Sequence, residues 1–381
     1  TSPKNLYNLL EEGGIEDPDL LDGRYILFHW GDEVLHIFRD PLGLHPLYQS
    51  IVNSTLLYAP RKGILWRLGA ATCESLPPNH LYTLTPRASS KREIIPLNPY
   101  PKRGDSLEEA VERLKDLLLE RIKILLNGFE RVGVAFSGGV DSSLVARLAS
   151  LTGKPVTLFV AGVEGAEDLE GAWKASEALS LPLISLEKGV EELEESLPRV
   201  IALIEDYSPL QVGIAAPLLW VVEEASGMGY PVLLTGQGRD ELYGGYARFQ
   251  RLFKEGEERV EEDLYRSVIN SYYTNFERDA KVASAHHLSL RQPLISPGIA
   301  QYVLQLPLSF KLPSLEGPRK LLLRRVAEEL GVPRDLAWRR KRAIQYSSLV
   351  EKAMERIAKA HSSTLKEYLK SLFMKEFPGT P

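Results

Sequence analysis

A short segment near the middle of the chain, residues 132–143, reads VGVAFSGGVDSS. The apolar residues 132–135 predict a buried strand, Ser137, Gly138 and Gly139 predict a tight turn, and the residues that follow predict a helix. Glycines let backbone N–H groups approach an anion, and a helix N-terminus adds partial positive charge. The segment is therefore typical of a polyphosphate-binding loop, although glycine also serves tight turns that bind nothing. No Gly-Lys-[Ser/Thr] follows, which excludes the Walker loop.

A second loop with glycines and acidic residues occupies residues 234–246, which read LTGQGRDELYGGY. Asp141, beside the first loop, would repel phosphates unless a divalent cation lay between them, so we predict Mg²⁺ there. Asp240 is the second predicted ligand, because loops at the carboxyl ends of parallel strands meet at one edge of a sheet. For Glu241, a solvated acidic residue at the start of a helix is an equally good interpretation.

The residues around these loops alternate between strand and helix patterns, which predicts a parallel α/β sheet with helices on both faces. Ser106 is a candidate N-cap for the first helix. The predicted strands are 131–136, 156–161, 183–186 and 231–235, and the predicted helices are 107–127, 142–151 and 171–180. After Asp240 the pattern is mostly helical to the end.

The first part of the chain has a different, antiparallel β pattern. Alternating apolar and polar residues predict strands at 24–30, 33–39, 55–58 and 80–86. A proline-containing stretch, residues 96–105, predicts a linker. We therefore divide the chain into a β module, residues 1–97, and an α/β domain with a helical C-terminal part, residues 98–381.

Composition excludes several classes of protein. The 381 residues include 46 Lys and Arg and 51 Asp and Glu, a formal net charge of -5, which argues against a globally basic nucleic-acid binder. Cys73 is the only cysteine, so neither an internal disulfide nor a cysteine-rich zinc site is expected. His286 and His287 would point to different faces of a helix, which disfavours a shared metal. With no apolar run long enough to span a membrane and no apolar signal core, a cytoplasmic protein is expected.

The two loops together resemble the asparagine synthetase family, a branch of the Ser-Gly-Gly-x-Asp-Ser ATP pyrophosphatases. Four later stretches resemble further motifs of that family in order: 275–279 NFERD, 290–294 LRQPL, 320–324 KLLLR and 337–342 AWRRKR. The region around Gly331 and residues 341–347, KRAIQYS, are especially similar to the eukaryotic asparagine synthetase domain-containing branch of the family.

The resemblance implies an adenine nucleotide α-hydrolase-like fold and an ATP- and Mg²⁺-dependent reaction. ATP would be cleaved between its α and β phosphates, AMP would pass to a small-molecule carboxylate such as aspartate, and an amine would displace it to form an amide. Arg278 matches a family position less securely, because an interhelical salt bridge explains it equally well. The implied residues are Phe136, Ala161, Thr235 and Gly236 for the adenosine, Ser137, Gly138, Gly139, Asp141 and Ser142 for the pyrophosphate, and Lys320 and Lys341 as catalytic cations.

The β module resembles the second half of the family's N-terminal-nucleophile glutaminase domain, through residues 21–25 LDGRY and 39–48 RDPLGLHPLY. That domain normally begins with a catalytic cysteine, whereas this chain begins with Thr1 and lacks about half of the expected domain. We therefore expect no glutaminase activity in this chain and ammonia from solution or from a separate glutaminase. A half sandwich would expose strand edges and an apolar face, which favours a partner chain or self-association over a degenerate relic.

The acceptor half of the expected site departs from the family pattern. Ser289 replaces a glutamate that is the expected proton acceptor, Ser296 replaces an aspartate, Gln237 replaces a glutamate and Arg239 replaces a small residue. Asparagine synthesis itself is therefore in doubt. Two alternatives stay open: an adenylating enzyme with another acceptor such as RNA, which the basic runs 319–325 and 339–342 would contact, and a nucleotide-binding scaffold without turnover. We favour a pyrophosphate-lining role for those basic runs over RNA.

Overall fold

The computed structural model describes residues 2–13, 15–339 and 349–380. Its strands are β1 Ile26–Gly31, β2 Val34–Arg39, β3 Tyr48–Val52, β4 Thr55–Ala59, β5 Glu74–Ser75, β6 His80–Leu84, β7 Ser89–Glu93, β8 Val132–Ala135, β9 Val156–Val163, β10 Leu183–Lys188, β11 Val232–Leu234 and β12 Ser289–Arg291.

The helices in those residues are α1 Pro3–Glu12, α2 Lys62–Arg67, α3 Leu107–Leu125, α4 Val140–Ser150, α5 Glu167–Leu179, α6 Val190–Ile204, α7 Pro209–Gly227, α8 Arg239–Leu242, α9 Ala247–Leu252, α10 Glu257–Ile269, α11 Glu277–Ser284, α12 Pro297–Gln305, α13 Leu308–Lys311, α14 Leu321–Glu329, α15 Arg334–Ala337, α16 Val350–Ala360 and α17 Leu365–Glu376. Short 3₁₀ segments cover Pro18–Leu21 and Phe253–Glu255, and a π turn, Tyr272–Phe276, leads into α11. As predicted, Ser106 caps α3 and forms a capping box with Glu109.

A five-stranded parallel sheet carries both predicted loops. Its strand order is β10-β9-β8-β11-β12, and every neighbouring pair is parallel. The chain therefore adds strands outward on one side of β8 and then crosses to β11 on the other side. Doubly wound sheets bind ligands at such a crossover, outside the carboxyl ends of the strands. The predicted α/β class is confirmed, and β12 is a fifth strand that the sequence did not predict.

Helices cover both faces of this sheet. Successive strand residues point to opposite sides, and the apolar side chains on each side pack against helices. Val134 and Leu158 pack in one apolar cluster with α3, α4 and α14, whereas Phe159 and Leu233 pack in another with α6, α7 and α16. These strands are buried on both faces, which explains why their sequences are continuous apolar runs without alternating polar residues.

The first part of the chain forms two antiparallel sheets, β1-β2-β6-β7 and β4-β3-β5. The four predicted strands are confirmed with small shifts at their ends, whereas β3, β5, β7, α1 and α2 were not predicted. The edge strands β1 and β4 and the middle strand β3 expose large apolar side chains. Trp30 and Ile51 are each 70% exposed, and Phe28 and Leu56 are also exposed.

Buried ion pairs join these sheets to the helices behind the parallel sheet. Glu277 at the start of α11 accepts hydrogen bonds from Arg39 Nη2 at 3.0 Å and from the Tyr48 hydroxyl at 2.6 Å. Lys281 on the same helix pairs with Glu205 at 3.1 Å. Glu277 thus connects both antiparallel sheets to α11. The boundary between modules 1–97 and 98–381 stays a prediction.

The chain beyond Asp240 is mostly helical, as predicted. The expectation that His286 and His287 lie on a helix is wrong, because α11 ends at Ser284 and His287 has a left-handed φ of 55°. Over the ranges that the structure describes, none of the helices combines the length and apolar character needed to cross a bilayer.

Candidate active site

The Ser-Gly-Gly turn lies at the carboxyl end of β8, at the crossover between β8 and β11. Gly138 has a φ of 69°, and a Cβ there would lie 2.6 Å from the carbonyl oxygen of Gly171 on α5. Both the backbone conformation and the close approach therefore require glycine at this position.

Hydrogen bonds within the loop hold its backbone in place. The Ser142 hydroxyl donates to the carbonyl oxygen of Gly139 at 3.1 Å and accepts from the Ser137 amide at 3.2 Å. The Phe136 amide donates to the Phe159 carbonyl at 2.7 Å, which extends the sheet to the first loop residue. In the described part of the chain no side chain caps α4, so its first amides are available to an anion.

The two predicted carboxylates meet on one lysine. Lys320 Nζ lies 2.7 Å from each carboxylate oxygen of Asp141 and 2.7 Å from Asp240 Oδ1. Lys320 is only 1% exposed and takes a left-handed conformation with φ 62°, immediately before α14. The structure thus brings three predicted site residues from three separate segments to one point.

Arg239 is a second cation on the same carboxylates. Its Nε donates to Asp141 Oδ2 at 3.0 Å, its Nη1 donates to the Gly236 carbonyl at 2.8 Å, and its Nη2 lies 3.5 Å from Asp240 Oδ2. Burial alone would lower the pKa of Arg239, but the charges of Asp240 and Asp141 outweigh burial and raise it. Asp141, Asp240, Arg239 and Lys320 together carry no net formal charge.

The carboxylate pair fits a divalent cation shared with phosphate. Asp141 and Asp240 converge on a single point within 2.7 Å, the position that the Lys320 ammonium now fills. Among the described residues, no group of three or more ligating side chains could hold a metal by itself. One or two carboxylates completed by phosphate oxygens is the usual manner of Mg²⁺ binding.

Gly245 is a site residue that sequence reasoning missed. A Cβ at this position would overlap the Asp240 carboxylate and the Lys320 side chain, although the backbone there is not left-handed. The close approach alone therefore requires glycine. The available signal was the Gly-Gly pair that follows the acidic residues at 240–241.

Glu241 is buried, so the expectation of a solvated acid is wrong. Its Oε1 accepts hydrogen bonds from Asn275 Nδ2 at 2.7 Å and from the Tyr246 hydroxyl. Burial, followed by the charge of Asp240, raises the pKa of Glu241. This carboxylate anchors α8 to the π turn.

The residues predicted to bind adenosine lie at the same edge of the sheet. Phe136 follows β8, Ala161 lies two residues before the end of β9, and Thr235 and Gly236 follow β11. The Thr235 amide donates to the carbonyl of Arg291 at 2.9 Å, which continues the sheet. Lys341 lies outside the described residues, so its role stays a prediction.

Three other predicted residues occupy positions away from the carboxylate pair. Arg278 contacts its neighbour Asp279 at 2.8 Å and reaches α7 through a hydrogen bond to Gln211 at 2.9 Å, so the expected interhelical salt bridge is replaced by an interhelical hydrogen bond. Ser289 pairs with Val232 at the first residue of β11, about 10 Å below the carboxyl edge. Ser296 caps α12 through the Ile299 amide at 3.0 Å.

In the described parts of the basic runs, Arg325 and Arg339 are exposed, whereas Arg319, Lys320 and Arg324 are at least partly buried. Lys320 and Arg324 are buried, and Arg324 Nη1 donates to the Ala337 carbonyl at 2.5 Å. Arg339 Nη1 lies 3.3 Å from the Gly171 carbonyl and 3.5 Å from the Gly138 carbonyl, behind the phosphate loop. Lys320 and Arg324 therefore support the site from within, whereas Arg325 and Arg339 keep part of their side chains in solvent.

Comparisons with known proteins identify the family by profile and by sequence identity. The profile of the Asparagine synthase family matches residues 113–258 and 253–378. A putative asparagine synthetase (glutamine-hydrolyzing) 1 of Methanocaldococcus jannaschii is 31% identical over 95% of this chain and 75% of its own length. Asparagine synthetase (glutamine-hydrolyzing) of Homo sapiens is 27% identical over 89% of this chain and 66% of its own length.

Among solved structures, NMN synthetase from Francisella tularensis covers 72% of this chain and 92% of its own, with 13% identity and a TM-score of 0.36. The fold assignment depends on the strand order described above instead of on that likeness. The similarity to the eukaryotic asparagine synthetase domain-containing branch rests on the region around Gly331 and on residues 341–347, and it stays an expectation. By family profile and by identity to the archaeal relative, the chain belongs to the asparagine synthetase family.

Proposed function

We propose that this chain is an ATP-dependent carbon-nitrogen ligase that transfers AMP to a carboxylate such as aspartate and converts it to the amide. The observation that carries the proposal is the meeting of Asp141, Asp240 and Lys320 beside the Ser-Gly-Gly loop, at the crossover of the sheet. Anion-binding amides, a carboxylate pair and a buried ammonium form a site for a metal-bound triphosphate.

In this proposal the backbone amides of residues 137–139 and the start of α4 hold the β and γ phosphates. Mg²⁺, when bound by Asp141 and Asp240, would neutralise phosphate charge. The acceptor carboxylate attacks the α phosphorus, pyrophosphate leaves, and ammonia then displaces AMP from the acyl carbon. Lys320 stabilises the negative charge that develops on the leaving pyrophosphate, an effect of the size seen for fixed electrostatic groups.

The buried residues of the basic runs favour a role beside the pyrophosphate over a role in RNA binding, whereas Arg325 and Arg339 are exposed. Lys320 and Arg324 are buried, so neither presents its charge to a nucleic-acid backbone. The alternative of a nucleotide-binding scaffold predicts ATP binding without turnover. The activity assay below distinguishes this alternative from the ligase.

We further propose that ammonia comes from solution or from a separate glutaminase. Both relatives named above are described as glutamine-hydrolyzing, and this chain spans 75% and 66% of their lengths. Trp30 on edge strand β1 and Ile51 on β3 are exposed apolar side chains that another polypeptide would cover. Light scattering after gel filtration tests self-association: an oligomer that Trp30→Glu dissociates supports it, and a monomeric wild type contradicts it.

The proposed activity is tested by incubating the protein with Mg²⁺-ATP and ammonium, with and without a panel of small carboxylates led by aspartate. We expect AMP, pyrophosphate and amide in equal amounts, and no products from Asp141→Asn. Asp263→Asn is the matched control, because Asp263 is paired with Arg248 on the exposed surface. ATP binding with no AMP for any acceptor would refute the ligase and support the scaffold.

A further inference from the structure

The Arg239 side chain occupies a position that a ligand phosphate can reach. Its side chain is 23% exposed, whereas those of its carboxylate partners are 10% exposed. An arginine has five N–H donors, and the contacts to Asp141, Gly236 and Asp240 use one on each nitrogen. In the part of the chain that the structure describes, two donors are left for oxygen atoms of a ligand.

The charge balance of the site changes because of this arginine. Asp141 and Asp240 carry two negative charges, and Lys320 alone would neutralise one of them. Arg239 adds a further positive charge beside both carboxylates, so the pair attracts a free divalent cation less strongly than it would with a small residue at 239. A guanidinium also binds phosphate oxygens in pairs, through its planar fork of donors.

We propose that Arg239 is a phosphate-binding residue of this site that supplies part of the neutralisation otherwise left to Mg²⁺. This inference rests on the proposed function, because it assumes that a polyphosphate occupies the crossover. Its consequence is that the chain binds inorganic pyrophosphate and ATP in the absence of divalent cations, whereas a small residue at position 239 would make binding depend on the metal.

Two binding measurements separate this role from a structural one. Titration calorimetry measures the affinity for pyrophosphate in EDTA and in Mg²⁺, and electron paramagnetic resonance measures the affinity for Mn²⁺ alone. The proteins are wild type, Arg239→Ser, Arg239→Lys and the control Arg266→Ser. Arg266 is an exposed arginine on α10 that pairs with Glu262. Thermal unfolding of each variant checks that it is folded.

The two affinities should move in opposite directions. In EDTA we expect Arg239→Ser to weaken pyrophosphate binding about 10- to 100-fold, the worth of charge-assisted hydrogen bonds, with a smaller loss in Arg239→Lys. The same Arg239→Ser variant should bind Mn²⁺ at least about tenfold more tightly, because a competing cation is gone. Arg266→Ser should match the wild type in both measurements.

Four results would overturn the inference. Equal pyrophosphate affinity of wild type and Arg239→Ser in EDTA would refute a phosphate contact. Weaker binding of both pyrophosphate and Mn²⁺ would indicate that Arg239 only holds the loop in shape. Wild-type binding of pyrophosphate in Mg²⁺ but not in EDTA would refute this inference alone, whereas no binding in either condition would refute the proposed function as well.

Discussion

Replacing Lys320 with Met removes the ammonium that joins Asp141 and Asp240 but keeps a side chain of similar length. The two carboxylates then stay buried, and Arg239 continues to donate to Asp141 at 3.0 Å. Removing one partner of a buried ion pair costs about 3–5 kcal/mol. Because Arg239 continues to pair with Asp141, we expect a loss near the lower limit, about 3 kcal/mol in the free energy of unfolding.

Mg²⁺ should restore part of this loss, because a divalent cation can take the position of the missing ammonium between the carboxylates. The assay is urea unfolding, followed by tryptophan fluorescence, in EDTA and in Mg²⁺. Lys311→Met is the matched control: Lys311 is also buried, but its Nζ donates to the carbonyls of Val303 at 2.8 Å and Leu306 at 2.7 Å instead of to carboxylates.

We expect both variants to be less stable than the wild type, and only Lys320→Met to recover in Mg²⁺. Lys320→Met should also release pyrophosphate about 100- to 1000-fold more slowly, as for the loss of one electrostatic stabiliser. Wild-type stability in Lys320→Met, or equal recovery of the two variants in Mg²⁺, would refute the reasoning.

Three further outcomes are expected. Gly138→Ala should abolish nucleotide binding and lower the melting temperature more than Gly153→Ala, because both glycines have positive φ but only a Cβ at 138 meets neighbouring atoms. Burial lowers the pKa of Lys281 from 10.5 to about 8, so the unfolded chain binds more protons between these values. The stability of wild type relative to Lys281→Met, measured by urea unfolding, should therefore rise by up to about 3 kcal/mol from pH 7 to pH 10.5. EDTA should stop AMP release but leave the melting temperature unchanged, because basic side chains already neutralise the carboxylates.

The parallel sheet was largely predictable, because its strands are short apolar runs separated by helices and glycine turns. In the antiparallel sheets, strand β7 could not be predicted, because its sequence, SSKRE, has no apolar residue and all five residues are exposed. β12 was missed because three residues between helices give too short a pattern. Its pairing with β11 depends on a contact between distant segments, which local periodicity does not report.

The candidate site was predictable as a set of loops but not as a set of contacts. Two strand-loop-helix motifs in one parallel sheet imply that Asp141 and Asp240 approach each other. Lys320 is 179 residues from Asp141, so its position between the carboxylates depends on how α14 packs. Likewise, the burial of Glu241 depends on Asn275, which a later helical segment supplies.

The central claim is that this site cleaves ATP between its α and β phosphates. The most direct test is ³¹P nuclear magnetic resonance of the products formed from Mg²⁺-ATP, ammonium and the carboxylate that supports turnover. The account predicts AMP and pyrophosphate from the wild type and unreacted ATP from Asp141→Asn. ADP and inorganic phosphate from the wild type, absent from the same Asp141→Asn sample, would contradict it.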